Sequence, residues 1–446
     1  MPAASFKILF LAAGAGERRA GPDARAAGLV RGLRALGHDV QVAPLHTPAV
    51  LDEPLDPDVF RVAARRPDGG VDPAPLFLNA ARLRLRIAGA TGRHLLRLGG
   101  GRWLDHPRFR RWVTRPGNAG QASWRARLAV HLLEGVRGPL ADDFQRVLGH
   151  FAPFEPDVVL VAGAPFSAFA PAIKETWPGR PVVGLYAGAD PVLENLPEPG
   201  RGRARRLLRA NVRHYDQLWV SGLHQALRAT DLLALPAKRV RVVPVGLPGR
   251  QFARNAERRR APFTLGYLAA IAPERGLATL ARAFSLLVHA RGRDARLFIA
   301  GRVLDAAYWR DVDRQLRRDG LAHRVTVFGE LDRAGKIAFL RELSVFCETD
   351  RGVASEGIAC LEALAAGVPV LAPALGGFPE LLRQTGGGTL FPPESPALLA
   401  ETLALFHDDP DTADAFARHG QMSVLRYHSQ ERAAAEAEEH LRALFR

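Results

Sequence analysis

Glu362 is a lone carboxylate in a run of small and apolar residues, a setting in which it can bind hydroxyl groups of a ligand. The apolar run Val345–Cys347 predicts a short strand, and Ser355 is placed to cap a helix that continues through Glu362 to Ala366. Open α/β sheets bind ligands in a crevice at the carboxyl ends of their strands. Glu362 is therefore predicted to accept hydrogen bonds from two hydroxyls of a ribose. The alternative is a structural role, in which it pairs with a nearby arginine.

Three glycines follow this predicted helix. Gly367 stands where a helix commonly ends on a glycine, and Val368–Leu371 then begins a buried parallel strand. Gly376 and Gly377 end that strand and precede another helix. Glycines at such a position let the backbone approach a bound sugar closely, or they simply form a turn.

Apolar runs alternate with helical patterns along most of the chain. The predicted strands are Lys7–Ala12, Val40–Ala43, Asp157–Val161, Pro181–Leu185, Leu218–Ser221, Val240–Val243, Phe263–Leu268, Arg296–Ala300, Val325–Phe328, Val345–Cys347 and Val368–Leu371. A helix is predicted over Leu277–Ala290. Strands that alternate with helices at this spacing predict an α/β protein with parallel sheets and right-handed crossovers.

Residues 246–262, GLPGRQFARNAERRRAP, are a candidate linker because they combine Gly, Pro and charge without periodicity. We expect residues 1–247 to form one Rossmann-like domain and residues 262–425 to form a second. Two such domains on a short linker would enclose a cleft.

Residues 345–382 resemble the signature region of retaining glycosyltransferases of family 4, which have the two-domain GT-B fold. The family pattern is a Glu, seven residues, a second Glu, and an Ala/Gly-rich turn into a strand. Glu362 matches the second Glu, whereas Ala354 stands where the first would fall. The GT-B fold also implies that the last helix, within residues 426–446, returns to the first domain.

Further blocks extend the resemblance over nearly the whole chain. They are KILFLAAGAG, VGLYAGADPVLENLPEP, WVSGLHQAL with VRVVPVGL, GYLAAIAPERGLATLARAF, RLFIAGRVL and RVTVFGELDRAGKIAFLREL. The resemblance implies an N-terminal domain that binds the acceptor and a C-terminal domain that binds a nucleotide-sugar. It also implies transfer of the sugar with retention of configuration.

The block Ala270–Gly276 is the one that the resemblance assigns to the donor diphosphate. The family usually places an Arg and a Lys there, five residues apart. Arg275 fills the Lys position and keeps its charge, whereas Ala270 stands at the Arg position. The helix that begins near Gly276 also directs its N-terminal dipole toward phosphate. The alternative for Arg275 is an ordinary surface charge.

Gly14 and Gly16 follow the first predicted strand, where glycines let a ligand approach the backbone. The dinucleotide fingerprint is incomplete because Arg19 stands in place of its third glycine, which argues against NAD. The two glycines are interpreted as a contact to the acceptor or the donor sugar, or as a plain tight turn.

Asp190 and Glu356 are the candidates for catalytic carboxylates. Asp190, in AGAD, is expected to face the donor sugar or acceptor, unless it only caps its loop. Glu356 lies two residues after Ala354, so its side chain replaces the missing Glu poorly. Its alternative role is a favourable charge in the first turn of a helix. We expect Lys336 and His323 to be solvated.

The chain has a net charge of +15 and a pI near 10.9, carried mostly by arginine. One explanation for this excess is a GC-rich genome that uses arginine in place of lysine, and the functional alternative is attraction to phosphates. Arginines cluster in three segments, Arg82–Arg115, Arg201–Arg213 and Arg254–Arg260. No nucleic-acid-binding module accompanies them. The expected partners are a nucleotide-sugar and a glycan, lipid or small-molecule acceptor, and the arginine segments suggest peripheral membrane contact.

Cys347 and Cys360 give no disulfide framework, and the sequence shows no metal-ligand spacing. No segment reaches the length of a membrane span, and the N-terminal apolar run lacks the features of a signal peptide. We therefore expect a cytoplasmic protein, with membrane-peripheral association as an option. The resemblance implies no cofactor and no metal, since Arg275 and a helix N-terminus would neutralise the leaving diphosphate.

A glycosyltransferase is the first functional hypothesis. The second is a non-catalytic pseudo-glycosyltransferase that serves as a binding or partner protein. Ala270 and Ala354 favour this alternative because each removes an expected charged side chain. Other GT-B activities, such as phosphorylase- or epimerase-like chemistry, are further alternatives.

Overall fold

The computed structural model describes residues 5–12, 22–44, 135, 140–186, 200–252, 262–352 and 355–446. These residues form two compact units, each built on one parallel sheet. Among them, the first unit comprises the residues up to Val243 together with those from Ala435 onward. The second comprises Pro244–Ala434.

The sheet of the first unit has six strands in the order β2-β1-β3-β4-β5-β6. Every neighbouring pair is parallel. The strands are β1 Lys7–Ala12, β2 Asp39–Pro44, β3 Val158–Ala162, β4 Val182–Leu185, β5 Gln217–Val220 and β6 Val240–Val242. All six lie where apolar runs predicted them, because strands covered on both faces are nearly continuous apolar segments.

Helices cover both faces of this sheet. They are α1 Pro22–Ala35, α2 Ala141–Phe151, α3 Ala170–Thr176, α4 Gly200–Val212 and α5 Leu223–Leu233. On one face Phe144 and Leu208 belong to a buried apolar cluster. On the other face Leu29 and Val30 of α1 pack in a second cluster with Phe10.

The sheet of the second unit has the order β12-β11-β10-β7-β8-β9 and is also parallel throughout. The strands are β7 Phe263–Leu268, β8 Ala295–Ala300, β9 Val325–Gly329, β10 Val345–Cys347, β11 Val370–Pro373 and β12 Gly388–Phe391. Strand β12 was not predicted from the sequence. It is a four-residue strand at the edge of the sheet, preceded by glycines and only partly buried, so its apolar signal is weak.

The helices of the second unit pack on both faces of its sheet. They are α6 Gly249–Phe252, α7 Leu277–Ser285, α8 Ala306–Arg318, α9 Arg333–Arg341, α10 Ile358–Ala365, α11 Phe378–Thr385, α12 Pro396–Asp408 and α13 Pro410–Tyr427. The last helix, α14, spans Gln430–Ala443. A π-helical turn, Leu286–Ala290, continues α7 to the end predicted from the sequence. No helix of the described part of the chain is long and apolar enough to cross a membrane.

Helix α14 passes from one unit to the other. Its residues up to Ala434 belong to the second unit, and those from Ala435 belong to the first. Ala437 and Leu441 are fully buried in the same apolar cluster as Phe10 and Trp219. The C-terminal helix therefore covers part of the first sheet.

The N-terminus of α10 differs from the expectation. The helix begins at Ile358 and its N-cap is Gly357, which has a φ of 65°. The Ser355 hydroxyl oxygen instead accepts a 3.3 Å hydrogen bond from the Gly357 N–H, so Ser355 shapes the turn before the helix and is not its cap. At the other end Gly367 has a φ of 73° directly after the C-cap residue Ala366, as predicted.

Candidate functional site

Strands β7 and β10 are neighbours in the middle of the second sheet, and the strand order changes direction between them. Strands β8 and β9 follow β7 on one side, and β11 and β12 follow β10 on the other. The segments after β7 and β10 therefore leave the same edge of the sheet in opposite directions. This switch point is where open α/β sheets form ligand-binding crevices.

The segment after β7 places Arg275 and Gly276 at this switch point. A 3₁₀ turn spans Pro273–Arg275, and Gly276, with a φ of 70°, is the N-cap of α7. A Cβ atom at Gly276 would lie 1.9 Å from the backbone oxygen of Thr349. Only glycine therefore allows α7 to begin this close to the segment after β10.

Arg275 pairs with Asp350, which belongs to the segment after β10. The Arg275 guanidinium donates to Oδ2 of Asp350, and the Gly352 N–H donates to Oδ1 over 2.8 Å. The Thr349 hydroxyl donates to the Arg275 backbone oxygen over 2.9 Å. Asp350 has a 6% exposed side chain, whereas that of Arg275 is 41% exposed. The carboxylate is thus fixed inside and the guanidinium still reaches solvent.

Burial and two nearby carboxylates shift the pKa of Arg275 in opposite directions. Burial lowers the pKa of the guanidinium, and the nearby charges of Asp350 and Glu348 raise it by more. The resulting pKa is above the ordinary arginine value, so Arg275 remains a cation at every accessible pH.

Glu348 is a buried carboxyl group next to this ion pair. Its Oε1 accepts hydrogen bonds of 3.0 Å from the N–H groups of Thr349 and Asp350. Burial, reinforced by the charge of Asp350, raises the pKa of Glu348 to about 7. The group therefore changes charge near neutral pH. Neither Glu348 nor Asp350 was predicted as a site residue, although acidic residues directly after a predicted strand were a usable signal.

Ala270 leaves its position in the segment after β7 without a charge. The Tyr267 hydroxyl donates to the Ala270 backbone oxygen over 3.0 Å, and burial raises the pKa of Tyr267 well above its usual value. A Cβ atom at Gly301, after β8, would lie 1.8 Å from the Ala269 oxygen. The backbone around Ala270 is therefore held by contacts on two sides. The charge in this segment that pairs with an acid of the segment after β10 is that of Arg275.

Glu362 lies inside the second unit and pairs with Lys336. The Lys336 Nζ donates to Glu362 Oε1 over 2.5 Å, and the two residues are 4% and 3% exposed. Glu362 Oε2 is buried and has no hydrogen-bond partner among the described residues. The expectation that Lys336 is solvated is wrong, because the buried carboxylate neutralises its charge. His323 is exposed, as expected.

The other predicted residues of this unit lie near the same edge of the sheet. Glu356 precedes the N-cap residue of α10, so it is not in the first turn of that helix. Gly376 has a φ of 61°, and Gly377 is the N-cap of α11.

A small cleft lies beside the segments that follow β10 and β11. It is lined by Thr279, Thr349, Asp350, Arg351, Pro373, Leu375, Phe391, Pro393 and Glu394.

Several residues named in the sequence-based predictions lie outside the described residues. They are Gly14, Gly16, Arg19, Asp190 and Ala354, together with the arginine segments Arg82–Arg115 and Arg254–Arg260. Their roles stay predictions, as do those of the described site residues. Within the described ranges there is no group of three or more His, Cys, Asp or Glu side chains that could hold a metal ion.

Residues 250–422 match the model of the family described as glycosyl transferases group 1. A phosphatidyl-myo-inositol mannosyltransferase of Mycobacterium leprae is 34% identical over 136 residues, which is 30% of this chain and 34% of that relative. A D-inositol 3-phosphate glycosyltransferase of Streptomyces coelicolor is 45% identical over 71 residues, 15% of this chain and 16% of that relative. The chain thus spans about a third of the mannosyltransferase and less of the second relative.

Solved structures resemble almost the whole chain. The sucrose-phosphate synthase from Thermosynechococcus elongatus has a TM-score of 0.69 and 15% identity, covering 98% of this chain and 99% of that one. Anabaena HepE in complex with UDP has a TM-score of 0.65 and 16% identity, covering 98% of this chain and all of that one. These similarities confirm the predicted GT-B fold.

Proposed function

We propose that this protein is a glycosyltransferase that binds a nucleotide-sugar at the carboxyl ends of β7 and β10. It transfers the sugar, with retention of configuration, to an acceptor. The observation that carries the proposal is the position of Arg275, a half-exposed cation at the switch point and next to the N-terminus of α7. The family match over residues 250–422 supports it, because that region includes all of these elements.

A departing nucleoside diphosphate develops negative charge that the protein has to neutralise. The Arg275 guanidinium presents several N–H donors in a planar fork suited to phosphate oxygens, and Asp350 engages one of its nitrogens. The N-terminus of α7 adds a favourable helix dipole. Each charge-assisted hydrogen bond of this kind contributes about 1.5–3 kcal/mol. These groups can stabilise the leaving diphosphate without a bound metal.

The donor sugar and the acceptor are further parts of the proposal. One relative is named as a mannosyltransferase, and two carry inositol compounds in their names. Inositol phosphate and phosphatidylinositol are therefore the first acceptors to test, together with glycans and other small molecules. Asp190 and Glu356 remain the proposed catalytic carboxylates, and Gly14, Gly16, Gly376 and Gly377 the proposed sites of close backbone approach to a sugar.

Two adjacent helices of the first unit carry exposed arginines and leucines that suit an anionic lipid. Arg205 and Arg206 on α4 are exposed, and Leu223 and Leu227 on the adjacent α5 are 64% and 73% exposed. Arginines and exposed leucines together favour peripheral attachment to a negatively charged membrane. Cosedimentation with vesicles of phosphatidylcholine, with and without phosphatidylinositol, tests this part. Binding only to the anionic vesicles, reduced in Arg205→Glu/Arg206→Glu, is expected, and equal binding to neutral vesicles would contradict it.

Calorimetric titration tests the donor site. UDP, GDP and ADP and their sugar conjugates are titrated into the wild type, Arg275→Ala and Glu362→Ala. Micromolar binding of one nucleotide, weakened in both variants, is expected. Product formation with candidate acceptors is then followed by NMR, which reports the anomeric configuration. Absence of binding by every nucleotide at millimolar concentration would overturn the enzyme proposal and leave the non-catalytic alternative.

A further inference from the structure

Lys336 and Glu362 form an ion pair that joins α9 to α10 inside the second unit. The neighbouring residues Phe339 and Leu340 on α9, and Leu361 and Ala363 on α10, belong to one buried apolar cluster. Two charges are thus removed from water in an apolar setting, although the helices could pack through apolar side chains instead.

Stability alone does not account for such a pair. Removing two charges from water costs free energy that their attraction does not reliably offset, and apolar replacements of similar volume are often neutral or stabilising. The pair therefore points to a task that packing does not perform. Its geometry indicates which task, because the two oxygens of Glu362 have different surroundings.

Only one oxygen of the carboxylate is used within the described residues. Oε1 accepts from Lys336 Nζ over 2.5 Å, whereas Oε2 is buried without a hydrogen-bond partner there. A buried acceptor without a donor is unfavourable, and a hydroxyl group of a ligand would relieve this cost. Since Oε2 is buried, a hydroxyl reaches it only when the residues that cover it shift.

We infer that Lys336 is a positioning residue that holds Glu362 by Oε1, so that Oε2 alone binds one hydroxyl of the nucleotide's ribose. This inference rests on the proposed function and changes the sequence-based prediction, in which Glu362 binds two hydroxyls. A ligand that lacks the bound hydroxyl loses one charge-assisted hydrogen bond. A ligand that lacks the other hydroxyl loses none at this carboxylate.

The inference is tested by calorimetry with the nucleoside diphosphate that the wild type binds best, and with its 2′-deoxy and 3′-deoxy analogues. One analogue is expected to bind about ten- to a hundredfold more weakly, the loss of one hydrogen bond to a charged group. The other analogue should bind within about twofold of the parent nucleotide. This twofold margin allows for small losses of contact at other places on the ligand. Equal weakening of both analogues, or of neither, would overturn the inference.

The variant Lys336→Met/Glu362→Leu separates positioning from a structural role. It removes both charges together, so that no unpaired charge remains inside the protein. We expect a thermal midpoint close to that of the wild type, and loss of the discrimination between the two deoxy analogues. Lys336→Arg should keep most of that discrimination, because it retains the cation.

The matched control is Arg317→Met/Asp313→Leu, which removes the exposed ion pair on α8. It should leave nucleotide affinity and discrimination unchanged. If the Lys336→Met/Glu362→Leu protein is stable and still discriminates between the 2′-deoxy and 3′-deoxy analogues, the buried pair is structural only. If the wild type binds a nucleotide but discriminates neither hydroxyl, the inference alone fails. If the wild type binds no nucleotide at all, the proposed function fails as well.

Discussion

Arg275 and Asp350 form an ion pair that joins the segments after the two central strands of the second sheet. The acid is the more deeply buried partner, and its second oxygen is held by a backbone N–H of Gly352. Arg275 is therefore oriented by a fixed carboxylate and still reaches solvent. A bound phosphate would share this guanidinium with Asp350, so the acid both orients the cation and opposes the ligand.

Loss of Arg275 should weaken nucleotide binding. We expect Arg275→Ala to lower affinity for the best nucleoside diphosphate about ten- to a hundredfold, since one charge-assisted contact is removed. Arg275→Lys should recover part of this loss, because lysine keeps the charge without the planar fork. Titration calorimetry measures both. Arg282→Ala, an exposed arginine in the last turn of α7, is the control and should bind as the wild type does. Equal affinity of Arg275→Ala and wild type would contradict the assignment.

Neutralising Asp350 should strengthen binding of anions. In Asp350→Asn the amide oxygen can still accept a hydrogen bond from Arg275, while the negative charge that opposes phosphate is gone. We expect a gain in affinity of roughly three- to tenfold, greater at low ionic strength. Asp350→Ala should instead bind more weakly, because Arg275 then lacks its anchor. Calorimetry at two salt concentrations distinguishes these results, and weaker binding by Asp350→Asn would show that the charge itself is needed.

Glu348 predicts a pH dependence of stability. Its pKa is about 7 in the folded protein, against an ordinary value of 4.5, because burial disfavours the charged form. Below pH 4.5 Glu348 is protonated in both the folded and the unfolded protein, and its contribution to the free energy of unfolding is fully present. As the pH rises toward 7 the unfolded state loses its proton first, so the free energy of unfolding falls, by on the order of 3 kcal/mol for this group.

Urea unfolding of the wild type and Glu348→Gln between pH 4.5 and 8 measures this effect. The glutamine does not titrate, so the difference in stability between variant and wild type should grow with pH and level off above pH 7. A difference that stays constant over this range would contradict the raised pKa.

Gly276→Ala should damage both folding and binding. The residue has a φ of 70°, and a Cβ atom there would lie 1.9 Å from the Thr349 oxygen. The segments after β7 and β10 must then separate, and we expect a loss of more than about 3 kcal/mol in the free energy of unfolding.

Gly292→Ala is the matched control for this prediction, because it has a φ of 65° and no atom within 4 Å of the added Cβ. It should cost only the left-handed backbone penalty of about 1–2 kcal/mol. Denaturant unfolding measures both variants. Equal losses would mean that the contact with Thr349 imposes no constraint.

The sequence predicted most of the described strands because strands buried on both faces leave continuous apolar runs. It also placed Arg275 and Gly276 correctly at the start of α7, since their position follows from the end of a strand. Strand β12 was missed because a four-residue edge strand has a weak pattern of its own. Neither Gly14 nor Asp190 could be compared with the structure, since both lie outside the described residues.

The sequence by itself thus determined the alternation of strands and helices and, through its resemblance to a known family, the GT-B fold. It also placed Arg275 next to a helix start, whereas the strand order that makes this position a switch point came from the structure. Only the tertiary structure decided the partners of the charged residues. Arg275 pairs with an acid 75 residues away, and Lys336 with one 26 residues away. Apolar periodicity is a local property of the chain, whereas these pairs depend on which strands and helices become neighbours. The energy of a buried charge depends on its partner, so the role of Lys336 was decided by the position of Glu362.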